Sequence, residues 1–284
     1  MFQLLRVQQY IKNTVIFAPM FFSFHISLEQ TIHIFIAFCL FSCTASSIYI
    51  FNDLMDIEQD KAHPTKKYRP IACGEVSIYK AKTIMLALIT FSLLSAYFFN
   101  TNLFYVLCSY LSINILYSIK LKHIGIIDIF TIASGFVLRL FAGSLVIHIT
   151  LSMWIIIITF LLAIFLALAK RRDDVLLNTL GKETRKNISF YNLEFINAAM
   201  VLMSAVVIVS YIQYTVSDHV MDKLNTHYLY LTTFFVILGI MRYMQITFVT
   251  QKSGNPTKIL LEDNFLKITI LSWIFSFIFI VKIL

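Results

Sequence analysis

The sequence predicts an all-α, polytopic membrane protein, and three observations carry that prediction. Of its 284 residues, 59% are hydrophobic and only 13% charged, more apolar surface than a water-soluble core of this size can hide. Phenylalanine is abundant, at 27 residues, whereas glycine and proline number 7 and 4, which favours long uninterrupted helices. Dyad alternation of apolar and polar residues is absent, which argues against a transmembrane barrel.

A helix needs roughly 20 apolar residues to cross a bilayer. Nine candidate spans appear, at about 10–25, 30–52, 80–99, 101–118, 126–147, 150–170, 193–215, 227–249 and 265–283. The first is interrupted by Pro19. It follows Arg6 and Lys12 and superficially resembles a signal peptide, but no small-residue cleavage site comes after it, so it reads as a membrane span. No repeat, low-complexity segment or soluble domain is visible, and residues 1–284 read as a single domain. Cys39, Cys43, Cys73 and Cys108 lack metal-ligand spacing; the first two, one turn apart in an apolar segment, suit helix packing.

The net charge of +8 would suggest a nucleic-acid partner in a soluble protein. Its placement gives another meaning. Arg6 and Lys12 precede span 1. Lys61, Lys66, Lys67, Arg69, Lys80 and Lys82 follow span 2, and Lys120 and Lys122 follow span 4. Lys170, Arg171, Arg172, Lys182, Arg185 and Lys186 follow span 6, and Lys252, Lys258 and Lys267 lie between spans 8 and 9. All fall on one side, against Lys223 and Lys282 on the other. The positive-inside rule therefore puts the amino terminus and every even-numbered connection in the cytoplasm.

The chain's acidic motif opens to that same face. Phe51-Asn52-Asp53-Leu54-Met55-Asp56-Ile57-Glu58-Gln59-Asp60 closes span 2 and runs into Lys61-Ala62-His63-Pro64-Thr65-Lys66-Lys67-Tyr68-Arg69-Pro70. On one continuous helix, Asp53, Asp56 and Asp60 stand at i, i+3 and i+7 and share a face, with Tyr49 and Asn52 beside them. A hard divalent ion such as magnesium, shared with substrate phosphates, would relieve their repulsion. The spacing also suits a solvated acidic helix end met by nearby lysines. Two further cytoplasmic clusters are Tyr117-Ser118-Ile119-Lys120-Leu121-Lys122 and Lys170-Arg171-Arg172-Asp173-Asp174. For Lys67, Lys80, Lys82 and Lys122 the helix dipole and anionic headgroups are sufficient explanation. His63 and His123 have no recognisable nucleophile or metal-ligand partner and read as solvated or supporting residues.

Arg139 is the charge that topology does not explain. It lies inside span 5, where an unpaired arginine costs about 3 kcal/mol or more, flanked on the same face by Gly135 and Gly143, which allow close helix approach. Its expected partner is Asp128 or an anionic substrate. Arg242, near the middle of span 8, is a weaker instance. Carboxylates with a metal on one wall, and lysines, arginines and a tyrosine hydroxyl on others, fit a phosphorylated substrate whose pyrophosphate departs.

Asn52-Asp53-x-x-Asp56-x-x-x-Asp60 resembles the first aspartate-rich motif of the UbiA superfamily of intramembrane prenyltransferases. Arg6-Val7-Gln8-Gln9-Tyr10-Ile11-Lys12-Asn13, the Asp60 to Ala72 run, Tyr117-Ser118-x-x-Leu121-Lys122-His123, Ala133 to Arg139 and Leu168-Ala169-Lys170-Arg171 are similar to its decaprenyl-phosphate phosphoribosyltransferase branch. The superfamily's usual second Asp-x-x-x-Asp motif is replaced here by Lys170-Arg171-Arg172-Asp173-Asp174, exchanging a metal-bridged phosphate contact for direct ones. Val7 and Tyr10 depart from the branch's usual proline and tryptophan.

The resemblance implies a UbiA-like helical bundle with a cytoplasm-facing polar cavity in the cell membrane. It implies magnesium-dependent transfer of phosphoribose from phosphoribosyl pyrophosphate to a polyprenyl phosphate, feeding a cell-envelope arabinose precursor. Asn52, Asp53, Asp56 and Asp60 would hold the metal. Lys12, Lys66, Arg69, Lys120, Lys170 and Arg171 would hold phosphates, Tyr49 and Tyr117 would orient the donor, and Arg139 would bind a phosphate deep in the cavity. Asp56, Asn52 and Lys12 are the expected catalytic residues. A phosphate monoester needs no strong general base. The alternatives are prenyl transfer from a prenyl pyrophosphate to an aromatic or other acceptor, and a membrane transporter.

Overall fold

The computed structural model describes residues 2–23, 27–62, 66–179, 188, 190–251 and 253–283. Among these, all regular secondary structure is helical, and eight helices are long and apolar enough to cross a membrane. His63, Pro64, Thr65, Lys182, Arg185, Lys186 and Lys252, named above, lie outside the described residues. The chain forms two compact units, residues 1–151 and 152–284.

In the first unit, α1 spans Leu28–Met55, α2 Ile78–Phe99, α3 Thr101–Ile119 and α4 Ile127–Val146. Polar caps start them. Ser27 and Gln30 form a reciprocal capping box at α1, the Ser77 hydroxyl accepts from the Lys80 amide at α2 (3.3 Å), and the Asn100 side chain accepts from Leu103 at α3 (2.9 Å). Asn100 is also the last cap of α2, so a single residue turns the chain. The buried core runs through Ile34, Phe41, Ala45, Leu103, Leu107 and Ala142.

The first predicted span does not form a regular α-helix. Val7–Phe17 is a 3-10 helix, followed by a short α-helix at Ala18–Ser23. A 3-10 run of 11 residues is long for its kind, and hydrogen bonds to α1 hold it. Tyr10 Oη meets Ser46 Oγ at 2.8 Å, and Asn13 Nδ2 donates to Ser42 Oγ at 2.9 Å. The Ser46 hydroxyl contacts the Leu5 carbonyl at 2.9 Å. Ser42 and Ser46, one turn apart, thus form the polar edge of α1 that this segment covers. The segment also meets α4 where a side chain on Gly143 would strike the Ile16 carbonyl, so the expected close approach exists there. The eight candidate spans agree with the predicted all-helical membrane architecture, and the expected first span is this irregular segment instead.

In the second unit, α5 spans Met153–Thr179 and α6 Leu193–Thr215, and α7 at Thr233–Gln245 is extended by a 3-10 turn before it and a π-turn, Ile246–Thr250, after it. Asn264–Ile283 is α8. Tyr211 joins three helical segments: its hydroxyl meets Thr232 Oγ1 at 2.7 Å and accepts from Trp273 Nε1 at 2.7 Å. Arg172 holds the π-turn, donating to the Thr247 carbonyl (2.7 Å) and to Asn197 Oδ1 (2.9 Å), with Phe248 under its guanidinium. Arg242 is answered by Asp263, just before α8, through Nη2–Oδ2 at 2.7 Å.

Candidate active site

The helix carrying the acidic motif stops at Met55. Asp56 leaves the helical region (φ −107°, ψ 16°) and the chain restarts as a separate short helix, Ile57–Ala62. The expected single face bearing Asp53, Asp56 and Asp60 is therefore corrected. Three adjacent carboxylates on one helix would repel; the break at Asp56 divides them between different cations.

Asp53 and Asp60 are both buried, at 2% and 3% exposure, and share one guanidinium nitrogen. Arg69 Nη1 donates to Asp53 Oδ1 at 3.0 Å and to Asp60 Oδ2 at 2.6 Å. Arg6 donates to the same Asp53 oxygen and lies over the Tyr49 ring, 5.1 Å from its centroid. Local geometry delivers both arginines. Arg6 has positive φ (51°) where the amino-terminal helix begins. Arg69 follows the 3-10 turn Lys66–Tyr68, and the Val76 amide bonds the Pro70 carbonyl (2.9 Å) to fold the loop back. Asp56 faces elsewhere. Its Oδ1 accepts from Lys122 Nζ at 2.9 Å, with both side chains partly exposed. Asn52 Oδ1 accepts from the Ser118 hydroxyl.

Arg139 lies on α4, 4% exposed, against Phe41 of α1. Its Nε donates to Asn13 Oδ1 (2.8 Å), Nη1 to the Gly135 carbonyl (2.6 Å) and Nη2 to Tyr110 Oη (3.3 Å). The rings of Phe41, Tyr110 and Phe136 surround it at 5.0 to 5.2 Å. Asp128, the partner considered from sequence, is not among these contacts. Gly135 leaves the room, since the Arg139 and Tyr110 side chains lie 3.5 and 3.7 Å from where its Cβ would be. Lys12 stands half-buried next to Asn13, and its ammonium makes no hydrogen bond among the described residues.

The structure thus brings Asn52, Asp53, Asp56, Asp60 and Arg69 together with Arg6, Ser118 and Lys122, and puts Lys12 and Arg139 behind them. Tyr49 is half-buried under Arg6, Lys66 and Tyr117 are half-buried, and Lys120 is exposed at the end of α3. In the second unit Lys170 is half-buried on α5; Arg171 is 1% exposed and bonds Asp174 at 3.0 Å. Sequence reasoning missed Arg6, Lys122, Ser118, Asn13 and Tyr110 as contributors. The amino-terminal motif was the signal for Arg6 and Asn13. Lys122 had an adequate topological explanation that hid its role.

The expected four-residue metal set is not assembled: among the described residues no three His, Cys, Asp or Glu side chains gather as a metal site. A smaller set fits a hard cation. Asn52 and Asp56 offer an amide and a partly exposed carboxylate oxygen, and magnesium typically takes one or two such ligands and fills its shell from water and phosphates. The three aspartates are matched by Arg6, Arg69 and Lys122, which leaves Lys12 and Arg139 as positive charge with no acid among their hydrogen-bond partners. Such an arrangement favours a multiply anionic ligand.

Comparison with known proteins agrees. The chain is 30% identical to a decaprenyl-phosphate phosphoribosyltransferase of Mycolicibacterium smegmatis, over 95% of this chain and 88% of that protein. It is 30% identical to the protein of the same name from Corynebacterium glutamicum, over 100% and 87%. The fold matches a UbiA homolog from Archaeoglobus fulgidus solved with GPP and Mg2+, at a TM-score of 0.71 and 19% identity, covering 98% of both chains. A sequence profile described as the UbiA prenyltransferase family matches residues 14–258. The chain is therefore a member of the UbiA prenyltransferase family, an integral membrane enzyme of the transferase class.

Proposed function

We propose that the chain transfers the 5-phosphoribosyl group of phosphoribosyl pyrophosphate to a polyprenyl phosphate such as decaprenyl phosphate, releasing pyrophosphate. The observation that carries this reading is the near full-length similarity to curated proteins named for that acceptor and group. The family match runs through both compact units, which supports one transferase domain.

In the proposed reaction an oxygen of the lipid phosphate attacks C1 of the ribose. The new C1–O bond forms as the bond to pyrophosphate breaks and its electron pair leaves on the pyrophosphate oxygen, with inversion at C1. The acceptor is already an anion, so no residue must remove a proton. Arg69, Arg6 and Lys66 receive the departing charge, Lys12 and Arg139 the phosphate held deeper, and Tyr49 and Tyr117 orient the donor. Lys120 adds positive charge at the end of α3. A divalent ion, magnesium in the solved UbiA homolog from Archaeoglobus fulgidus, would be held by Asn52 and Asp56 and would neutralise the leaving group. We place the amino terminus and this motif in the cytoplasm, with the product suited to a cell-envelope arabinose precursor.

Full-length protein in nanodiscs, given radiolabelled phosphoribosyl pyrophosphate and decaprenyl phosphate, should yield labelled lipid and free pyrophosphate. Absence of labelled lipid, with turnover of a prenyl pyrophosphate instead, would move the chain to the prenyl-transferring members of its family.

A further inference from the structure

Asp53 and Asp60 belong to the acidic motif, yet their carboxylates are already taken. Arg69 Nη1 lies within hydrogen-bond distance of both, and Arg6 reaches the same Asp53 oxygen. The burial is asymmetric. The acids are 2% and 4% exposed in their side chains, whereas the arginines are 25% and 27% exposed. Each arginine therefore uses one terminal nitrogen on the buried acids. Its remaining N–H groups, of the five a guanidinium offers, make no hydrogen bond among the described residues.

We propose that Asp53 and Asp60 are positioning residues that aim Arg69 and Arg6 at the donor's pyrophosphate, and that this motif's metal-facing oxygens are only those of Asn52 and Asp56. This deepens the function proposed above and rests on it for the identity of the ligand. The charges support it: two carboxylates and two guanidiniums form a neutral group, and Asp56 is paired with Lys122. Such a motif has little net negative charge with which to attract a bare divalent cation. A pyrophosphate would bring the missing anionic oxygens, and the cation would arrive bound to it. The arrangement differs from a cage of three carboxylates, which would bind the metal first.

The test uses the full chain in nanodiscs, with inorganic pyrophosphate as the anion and Mn2+ uptake read as metal retained on the discs after unbound ligand is removed, against empty nanodiscs given the same Mn2+ and pyrophosphate. Wild-type protein should take up Mn2+ only when pyrophosphate is present. Asp60→Asn should leave that uptake within about threefold and weaken metal-free pyrophosphate binding about tenfold, the scale of losing a group that orients a ligand-binding residue. Asp56→Asn should weaken Mn2+ uptake about tenfold or more. Uptake of Mn2+ by wild type without pyrophosphate, abolished in Asp60→Asn, would overturn the proposal. So would an Asp60→Asn protein that melts earlier but binds pyrophosphate as wild type does. If Asp60→Asn does not fold, Arg69→Lys serves: it keeps the charge and loses the fork, so pyrophosphate affinity should fall while Mn2+ uptake on the pyrophosphate complex persists. None of these readouts involves ribose or a lipid acceptor, so failure of the transfer reaction would leave them standing.

Discussion

At the scale of single residues, Arg139 shows what an apolar sequence can and cannot disclose. A guanidinium inside a predicted span is conspicuous because burying it is costly, and the charge is indeed almost wholly buried. Its partners were not legible, since Asn13 lies 126 positions away and the ring of Phe41 carries no mark of its contact. Lys122 is the opposite case: a lysine after a helix end already has an explanation in the dipole and the headgroups, and nothing local reports that it reaches Asp56, 66 positions earlier. The cage around Arg139 makes a definite demand. Arg139→Lys keeps the charge but cannot serve Asn13, Gly135 and Tyr110 at once, and it weakens three ring contacts. It should destabilise the protein by about 2 kcal/mol, read as a lower unfolding temperature in detergent; an unchanged midpoint would argue against the cage as a fixed strut. Lys122→Ala should loosen Asp56 and raise the donor KM more than it lowers kcat, which steady-state kinetics over a donor series would resolve.

At the scale of elements, the amino-terminal segment explains why counting residues is a poor measure of crossing. A 3-10 helix rises about 2.0 Å per residue against about 1.5 Å in an α-helix. Val7–Phe17 and Ala18–Ser23 together reach about 31 Å, comparable with the ~30 Å hydrocarbon core, with fewer residues than an α-helix needs. The sequence located the span through its apolar run but had no means of reporting the tighter winding, which depends on Ser42, Ser46 and Gly143 in other elements. Gly143→Val should push this segment from α4 and cost about 1–3 kcal/mol, the range for overpacking. Gly239 offers a control within α7: a Cβ there meets only Thr269 Cγ2 at an ordinary 3.8 Å. Gly239→Ala should stabilise by about 0.5–1 kcal/mol through helix propensity, and a fall in unfolding temperature would contradict the packing described. The joint before α8 carries a pH dependence. Hydrogen bonding from Arg242 holds the Asp263 carboxyl below its usual range. A depressed pKa contributes stability that is present above the unfolded value of about 3.9 and lost as pH falls through the lower folded value. Asp263→Asn should therefore melt earlier than wild type at pH 7, and the difference should shrink as pH falls below the unfolded value.

At the scale of the whole molecule, the asymmetric placement of cations makes an orientation testable with the chain's own cysteines. Helix class and the eight candidate spans follow from hydropathy and charge, because lipid imposes those patterns span by span. Side choice is different, being a property of the entire chain that no single helix determines. Cys39, Cys43 and Cys108 lie within α1 and α3, whereas Cys73 is exposed in the connection between Arg69 and Gly74, beside the acidic motif. A membrane-impermeant maleimide reacts with thiolate in water and so should reach Cys73 alone, since Cys39, Cys43 and Cys108 lie inside apolar spans away from water. The proposed orientation predicts labelling in inverted membrane vesicles and none in intact cells, with Cys73→Ser abolishing the signal and membrane-permeant reagents reaching both preparations equally. Labelling of intact cells at Cys73 would place the Arg6, Asp53 and Arg69 group on the outer face. There the lysines and arginines would oppose the positive-inside bias, and a phosphorylated sugar donor made in the cytoplasm would be beyond reach.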